Sequence, residues 1–162
     1  MSRFTDVFTR VIGIEGGYVN DPRDPGGETK FGISKRSYPH LNISDLTVED
    51  ARSIYLADFW GRLRADELPQ PLDEFLFDFA VNSGVETASM SLQGAVGALR
   101  DGRIGDKTIA AVGRHPVLEI LRLVFVDRAM VFALSKNDTI YGRGWFARLF
   151  DKTTQALGEI PA

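Results

Sequence analysis

Three features of the sequence predict a mainly α fold with one glycine-rich loop or small β-hairpin after the first helix. Apolar residues recur with the three-and-four spacing of a helix face along most of the chain. Residues 16–33 break that pattern with five glycines, Pro22 and Pro25. Residues 72–83 are apolar on nearly every side, as a helix buried at the centre of a domain would be.

Taken in order, Phe4, Val7, Phe8 and Val11 predict a first helix over about residues 3–15, stopped by Gly16-Gly17. Turn signals follow at Asn20-Asp21-Pro22 and Asp24-Pro25-Gly26-Gly27. The short apolar pieces on either side, Tyr18-Val19 and Phe31-Gly32-Ile33, are expected to pair as a hairpin. Thr47-Val48-Glu49-Asp50 has the form of a capping box, with Asp in the place of Glu, and opens a helix to about Trp60. Pro69 and Pro71 punctuate the next loop, and Gly84 ends the apolar helix from Leu72 to Ser83. Further helices are predicted at about 86–98, 106–113, 116–134 and 142–156. The loop Asp101-Gly102-Arg103-Ile104-Gly105 separates the first two of these.

The 162 residues suffice for a single domain whose core needs no staple. Cysteine is absent, which excludes disulfides, thiol nucleophiles and cysteine-bound metals. Two histidines, His40 and His115, cannot build a three-histidine metal site, and neither has a second ligand at metal spacing. No metal and no cofactor is expected, so acid–base chemistry falls to the 22 carboxylates. A net charge of −3 argues against a nucleic-acid partner. The balance is uneven, with 9 basic and 14 acidic residues over 1–81 against 10 and 8 over 82–162. The longest uninterrupted apolar run, Ala129 to Leu134, is far short of the roughly 20 residues that span a membrane. Arg3, Asp6 and Arg10 interrupt any signal-peptide core. Stable membrane insertion is therefore not expected, and the protein is expected in the cytoplasm until released.

Glu15 is the first candidate catalytic residue. Positions 4, 8, 11 and 15 lie on one helix face, so a helix reaching residue 15 carries Glu15 on its apolar stripe. Desolvation and the negative end of the helix dipole would both raise the pKa of a carboxyl there. A carboxyl kept protonated near neutral pH is what a general acid requires. The bland alternative is an ion-paired Glu at a helix end, and taken alone that is the commoner arrangement. The following loop adds Asp24, nine residues on, in a polar turn where it ionises readily, and Thr29, whose hydroxyl can orient a water or steady a carboxylate. One raised and one ordinary carboxyl is the pairing glycosidases place across a scissile bond. Against this, Asp-Pro-Gly-Gly is also simply a good turn.

The run Glu15-Gly16-Gly17-Tyr18-Val19-Asn20-Asp21-Pro22, followed by Asp24-Pro25-Gly26-Gly27-Glu28-Thr29-Lys30-Phe31-Gly32-Ile33-Ser34, closely resembles glycoside hydrolase family 108. Those are N-acetylmuramidases of phage endolysins and prophage-derived genes. The resemblance continues through Leu76-Phe77-Asp78-Phe79-Ala80-Val81-Asn82-Ser83-Gly84, the Asp101–Gly105 loop and Gly144-Trp145. It implies a lysozyme-like helical domain over residues 1–162. Residues 1–84 would be the catalytic portion, and residues 85–162 resemble a predicted peptidoglycan-binding region. It also implies hydrolysis of the β-1,4 bond between N-acetylmuramic acid and N-acetylglucosamine, with Glu15 as the acid and Asp24 and Thr29 completing a Glu/Asp/Thr set. Thr29 lies fourteen residues after Glu15, one short of the phage-type lysozyme spacing. Asp106 stands where related loops more often carry proline.

Asp78 and Asn82, four apart on an apolar helix, are expected either to hold a buried network or to contact substrate. Tyr18 is a further candidate sugar contact, with packing of the hairpin as its alternative. Trp60 and Trp145 are expected to anchor the core. The partners implied are peptidoglycan glycan strands and a holin-like pore for access to them, with the protein acting as a monomer. A lytic transglycosylase using Glu15 alone, or a non-catalytic wall-binding module, are the rival readings.

Overall fold

The computed structural model describes residues 2–13, 17–20, 27–135 and 138–160. The described regular structure includes seven α-helices and one two-stranded hairpin, with short 3-10 turns at Ile43–Asp45 and Ala65–Glu67: α1 (Arg3–Ile12), β1 (Thr29–Lys30), β2 (Ile33–Ser34), α2 (Val48–Tyr55), α3 (Leu72–Ser83), α4 (Val85–Ala95), α5 (Asp106–Val112), α6 (Val117–Ala133) and α7 (Asp138–Gly158). The mainly α, lysozyme-like class expected from the sequence is what the structure shows. Among the described residues no helix is long and apolar enough to cross a membrane. By packing, the chain divides into two compact units, Met1–Asp58 and Phe59–Ala162.

In the first unit, α1 begins at Ser2, whose hydroxyl accepts from the Thr5 N–H, and it buries Phe4, Val7, Phe8 and Val11. The helix ends at Ile12, three residues before the expected boundary. Gly13 takes φ +74° and donates its N–H to the Thr9 carbonyl, so the chain turns away one glycine earlier than Gly16-Gly17 would have turned it. The hairpin also differs in register. Thr29 pairs with Ser34 and Lys30 with Ile33, across a two-residue turn of Phe31 (φ +52°) and Gly32 (φ +77°). Val19 pairs instead with Thr29. The capping box forms as the sequence predicts. The Thr47 hydroxyl accepts from the Asp50 N–H, and the Asp50 carboxylate accepts from the Thr47 N–H. The Thr47 hydroxyl also donates to the Asp50 carboxylate at 2.7 Å, and this bond first, with the Thr47 N–H second, holds the Asp50 carboxyl below its ordinary pKa. The helix it opens gives way at Leu56 to a wider π turn that runs to Gly61.

In the second unit α3 is the central helix. Every residue from Leu72 to Ala80 is buried, and α4, α6 and α7 pack around it. Gly84, at φ +88°, ends α3 and starts α4. α3 thus packs within the second unit, which begins at Phe59. Trp60 is fully buried with its ring edge against Phe77 at 5.6 Å, and Trp145 is half-buried against Phe132 at 5.4 Å.

Candidate active site

Glu15 and Asp24, the two carboxylates predicted as catalytic, lie outside the described residues. What the structure places is the frame on either side of them. On the near side, the Gly13 cap ends α1 after the buried stripe of Phe4, Phe8 and Val11. On the far side, Val19 and Thr29 exchange both backbone hydrogen bonds at 2.8 Å, which brings residues ten apart in the chain to one place. Thr29 is half-buried there, its hydroxyl donating a long 3.4 Å bond to the Gly27 carbonyl. Tyr18, next to the bridge, leaves 44% of its surface exposed, as a ring available to a sugar must be. The bridge thus joins Val19 to Thr29, with Tyr18 the next residue along the chain.

A residue the sequence analysis passed over seats this hairpin. Tyr55, at the last turn of α2, donates its hydroxyl to the Phe31 carbonyl at 3.1 Å, and its ring packs on Phe8 of α1 at 5.9 Å. Gly32 presses against the same hydroxyl: a Cβ built there would lie 2.6 Å from the Tyr55 oxygen. Lys30 donates to the Ser44 carbonyl and Lys35 to the Leu41 carbonyl, each at 2.7 Å, which fixes the hairpin against the segment before α2. Arg52 donates to the Thr5 hydroxyl, tying α2 to α1. The only local hint of Tyr55 was an aromatic residue on an amphipathic helix, a pattern shared with any core tyrosine.

In the second unit, Asp78 is fully buried. One carboxylate oxygen accepts from Arg128 at 2.5 Å, and the other accepts two bonds from Arg148 at 3.0 and 2.6 Å. Of the two roles open to Asp78 from the sequence, the geometry displays the network. Arg128 is itself fully buried, and its guanidinium lies 5.4–5.6 Å from the rings of Phe75, Phe79 and Phe132. Among the described residues its Nε and Nη1 meet no hydrogen-bond acceptor, and the aromatic faces stand in for one. Burial pushes the Arg128 pKa down, with Asp78 acting against it. One turn earlier on α3, buried Glu74 accepts from Gln155 at 2.9 Å and Lys152 at 3.5 Å of α7. Asn82 is exposed at the end of α3, and its Nδ2 donates to the Asp78 carbonyl at 2.8 Å. One N–H and the amide oxygen are left for a ligand. Among the described residues no group of three His, Cys, Asp or Glu side chains is placed to hold a metal.

The Asp101–Gly105 loop is fixed by another buried polar residue. Gln93, 1% exposed, donates to the Asp101 carboxylate at 2.7 Å and to the Arg103 carbonyl at 2.9 Å, and accepts from the Gly102 N–H at 2.9 Å. The Gln93 bond, helped by the Arg103 N–H, holds the Asp101 carboxyl below its ordinary pKa.

The family model described as Glycosyl hydrolase 108 matches residues 8–84. That span contains the bridge, the hairpin, the capping box and α3. Among solved structures, the chain is similar to SagA of Brucella abortus, with 32% identity and a TM-score of 0.87 over 96% of this chain and 94% of that one. No curated protein is similar to it at a comparable level. With a family match over the whole N-terminal block and a full-length structural relative at this identity, the chain belongs to the glycosyl hydrolase 108 family.

Proposed function

We propose that this glycoside hydrolase is an endolysin-type N-acetylmuramidase that cleaves the β-1,4 bond between N-acetylmuramic acid and N-acetylglucosamine in peptidoglycan. The observation that carries this reading is the run from Glu15 to Ser34, which falls within the family match. In this reading Glu15 protonates the glycosidic oxygen as the C1–O bond breaks, and positive charge develops on the muramic acid ring. Asp24 either activates a water on the opposite face of the sugar or stabilises that charge, and Thr29 orients the water. The Val19–Thr29 bridge supports the assignment of Thr29, since it ties that residue to Val19 at the base of the segment that contains Asp24. Tyr18 and Asn82 are proposed to contact sugar through the exposed ring and the free amide oxygen. Asp78 acts on Asn82 through the helix that both share.

Mass spectrometry of soluble fragments from purified peptidoglycan tests the reading, with wild type run beside Glu15→Gln. Wild type is expected to release reducing N-acetylmuramic acid ends. Glu15→Gln is expected to lose roughly a hundred- to ten-thousand-fold in rate, the usual worth of a positioned acid, while keeping its helical circular dichroism. Near-full activity in the variant would overturn the role of Glu15. Anhydromuramoyl ends would replace hydrolysis by transglycosylation, and protein bound to the wall without products would leave only a binding module.

A further inference from the structure

Helix α7 turns three polar side chains inward and two phenylalanines and a leucine outward. On the inward side Arg148 bonds to Asp78, and Lys152 and Gln155 bond to Glu74, beside the buried Leu149 and Ala156. On the outward side Phe146, Phe150 and Leu157 follow at spacings of four and seven, and Phe150 leaves 70% of its surface exposed. The neighbouring α6 presents Leu118, Arg122 and Phe125 at spacings of four and three, with Leu118 51% exposed. A cavity of about 270 Å³ lies between these two stripes, lined by Phe75 of α3, Leu118 and Phe125 of α6, and Leu157 of α7. A helix on a solvated surface carries polar residues on its outer face, so this apolar face is built to be covered.

The charges on the face say what covers it. Arg122 lines the cavity, and Arg143 lies three residues before Phe146 on the α7 stripe. Both are exposed, and neither closes an ion pair among the described residues. Neither stripe carries a carboxylate among the described residues. Glu119 and Asp151 each follow an apolar member by one residue, about 100° round the helix, and so flank the face. The face is apolar with positive charge, the pattern of helices that lie in a membrane interface. A second copy of the chain fits it poorly, because a two-fold contact sets the same patch against itself and supplies no carboxylate for either arginine.

We propose that this α6–α7 face docks on an anionic phospholipid surface. Phe146, Phe150, Leu118 and Leu157 enter the boundary between headgroups and acyl chains, and Arg122 and Arg143 meet lipid phosphates. The protein lies on the bilayer and does not cross it, since no described helix is long and apolar enough to span one. The inference stands apart from the glycan-cleavage reading, as none of these residues has a part in that chemistry.

The test sediments the full-length protein with vesicles of equal parts phosphatidylglycerol and phosphatidylcholine, and with vesicles of phosphatidylcholine alone. Two double variants run beside wild type, Arg122→Gln/Arg143→Gln and Phe150→Ser/Leu157→Ser. All four replaced side chains are exposed, and circular dichroism checks that both variants fold. Wild type is expected to pellet with the anionic vesicles at least about tenfold more strongly than with the neutral ones, the difference closing at high salt. The arginine variant is expected to lose about thirtyfold on the anionic vesicles, the worth of two cations near a charged surface. The serine variant is expected to lose binding to a similar extent through its apolar contacts. Failure of wild type to pellet, equal binding to both kinds of vesicle, or unchanged binding by either variant would overturn the proposal. A wild-type dimer in analytical ultracentrifugation that Phe150→Ser/Leu157→Ser splits would also overturn it, and would give the face to a second copy.

Discussion

At the scale of single residues, the hairpin hangs on the contact of Gly32 with Tyr55. Replacing Gly32 by alanine forces a Cβ against the Tyr55 hydroxyl at 2.6 Å and places a side chain at φ +77°. Two penalties act together, and Gly32→Ala is expected to lower stability by about 2–3 kcal/mol in chemical denaturation. In a Tyr55→Phe background the steric part disappears, because the next ring atom is 3.9 Å away. The same substitution should then cost about 1 kcal/mol, the strain of the backbone alone. Equal losses in both backgrounds would show that the hydroxyl is not the obstacle. The second residue-scale case is Asp78. Asp78→Ala leaves the fully buried Arg128 with no anion, and breaking such a pair costs about 3–5 kcal/mol. Arg148, 36% exposed, can turn to water and contributes little of that loss. Leucine at both 78 and 128 is expected to recover most of the stability, since the site is otherwise lined with phenylalanine.

At the scale of elements, α2 depends on its cap. Thr47→Ala removes the acceptor for the Asp50 N–H and is expected to cost about 1 kcal/mol. The cap is also pH-sensitive, with a definite sign. The Asp50 pKa is lowered in the folded protein, so its contribution is present above the unfolded value and is lost as pH falls through the lowered one. Denaturation midpoints followed down into the acid range should therefore fall less steeply in Thr47→Ala than in wild type. Parallel curves would mean that Asp50 draws its shift from elsewhere. Sequence reading succeeded for this element because both partners of the cap lie within one turn. It placed α3 between Leu72 and Ser83 for the same reason, its burial being written into consecutive residues and its end into Gly84. It misplaced the end of α1, since Gly13 and Gly16 are equally able to stop a helix and nothing local ranks them. The hairpin register was likewise illegible: Phe31 reads as a strand residue, yet the contact with Tyr55, 24 positions on, fits it into the turn.

At the scale of the whole molecule, the chemistry expected of this family member is carried by carboxylates alone. With no cysteine and two histidines, the chain has few residues suited to a transition metal. Release of reducing ends from peptidoglycan is expected to proceed at the same rate after exhaustive treatment with a chelator. A loss that zinc or magnesium restores would require a Lewis acid in place of the Glu15 proton. The sequence pointed to Glu15, Asp24, Thr29 and Tyr18 through one contiguous block, and to that block packing adds the Val19–Thr29 bridge and the seating of the hairpin on Tyr55.

The sequence by itself determined the mainly α class, the capping box of α2, the buried run of α3 and the family to which the chain belongs. Each of these is encoded in residues that are neighbours along the chain, where periodicity and hydrogen-bonding reach are local. Only the tertiary structure decided what the buried polar residues do. Asp78 finds its partners 50 and 70 residues away, Glu74 finds Gln155 81 residues away, and Gln93 closes a loop that begins eight residues on. A buried carboxylate or amide must be satisfied, but sequence spacing does not say by whom. That choice depends on which helices pack together, and it separates the buried Asp78 that holds a network from the exposed Asn82 at the end of the same helix.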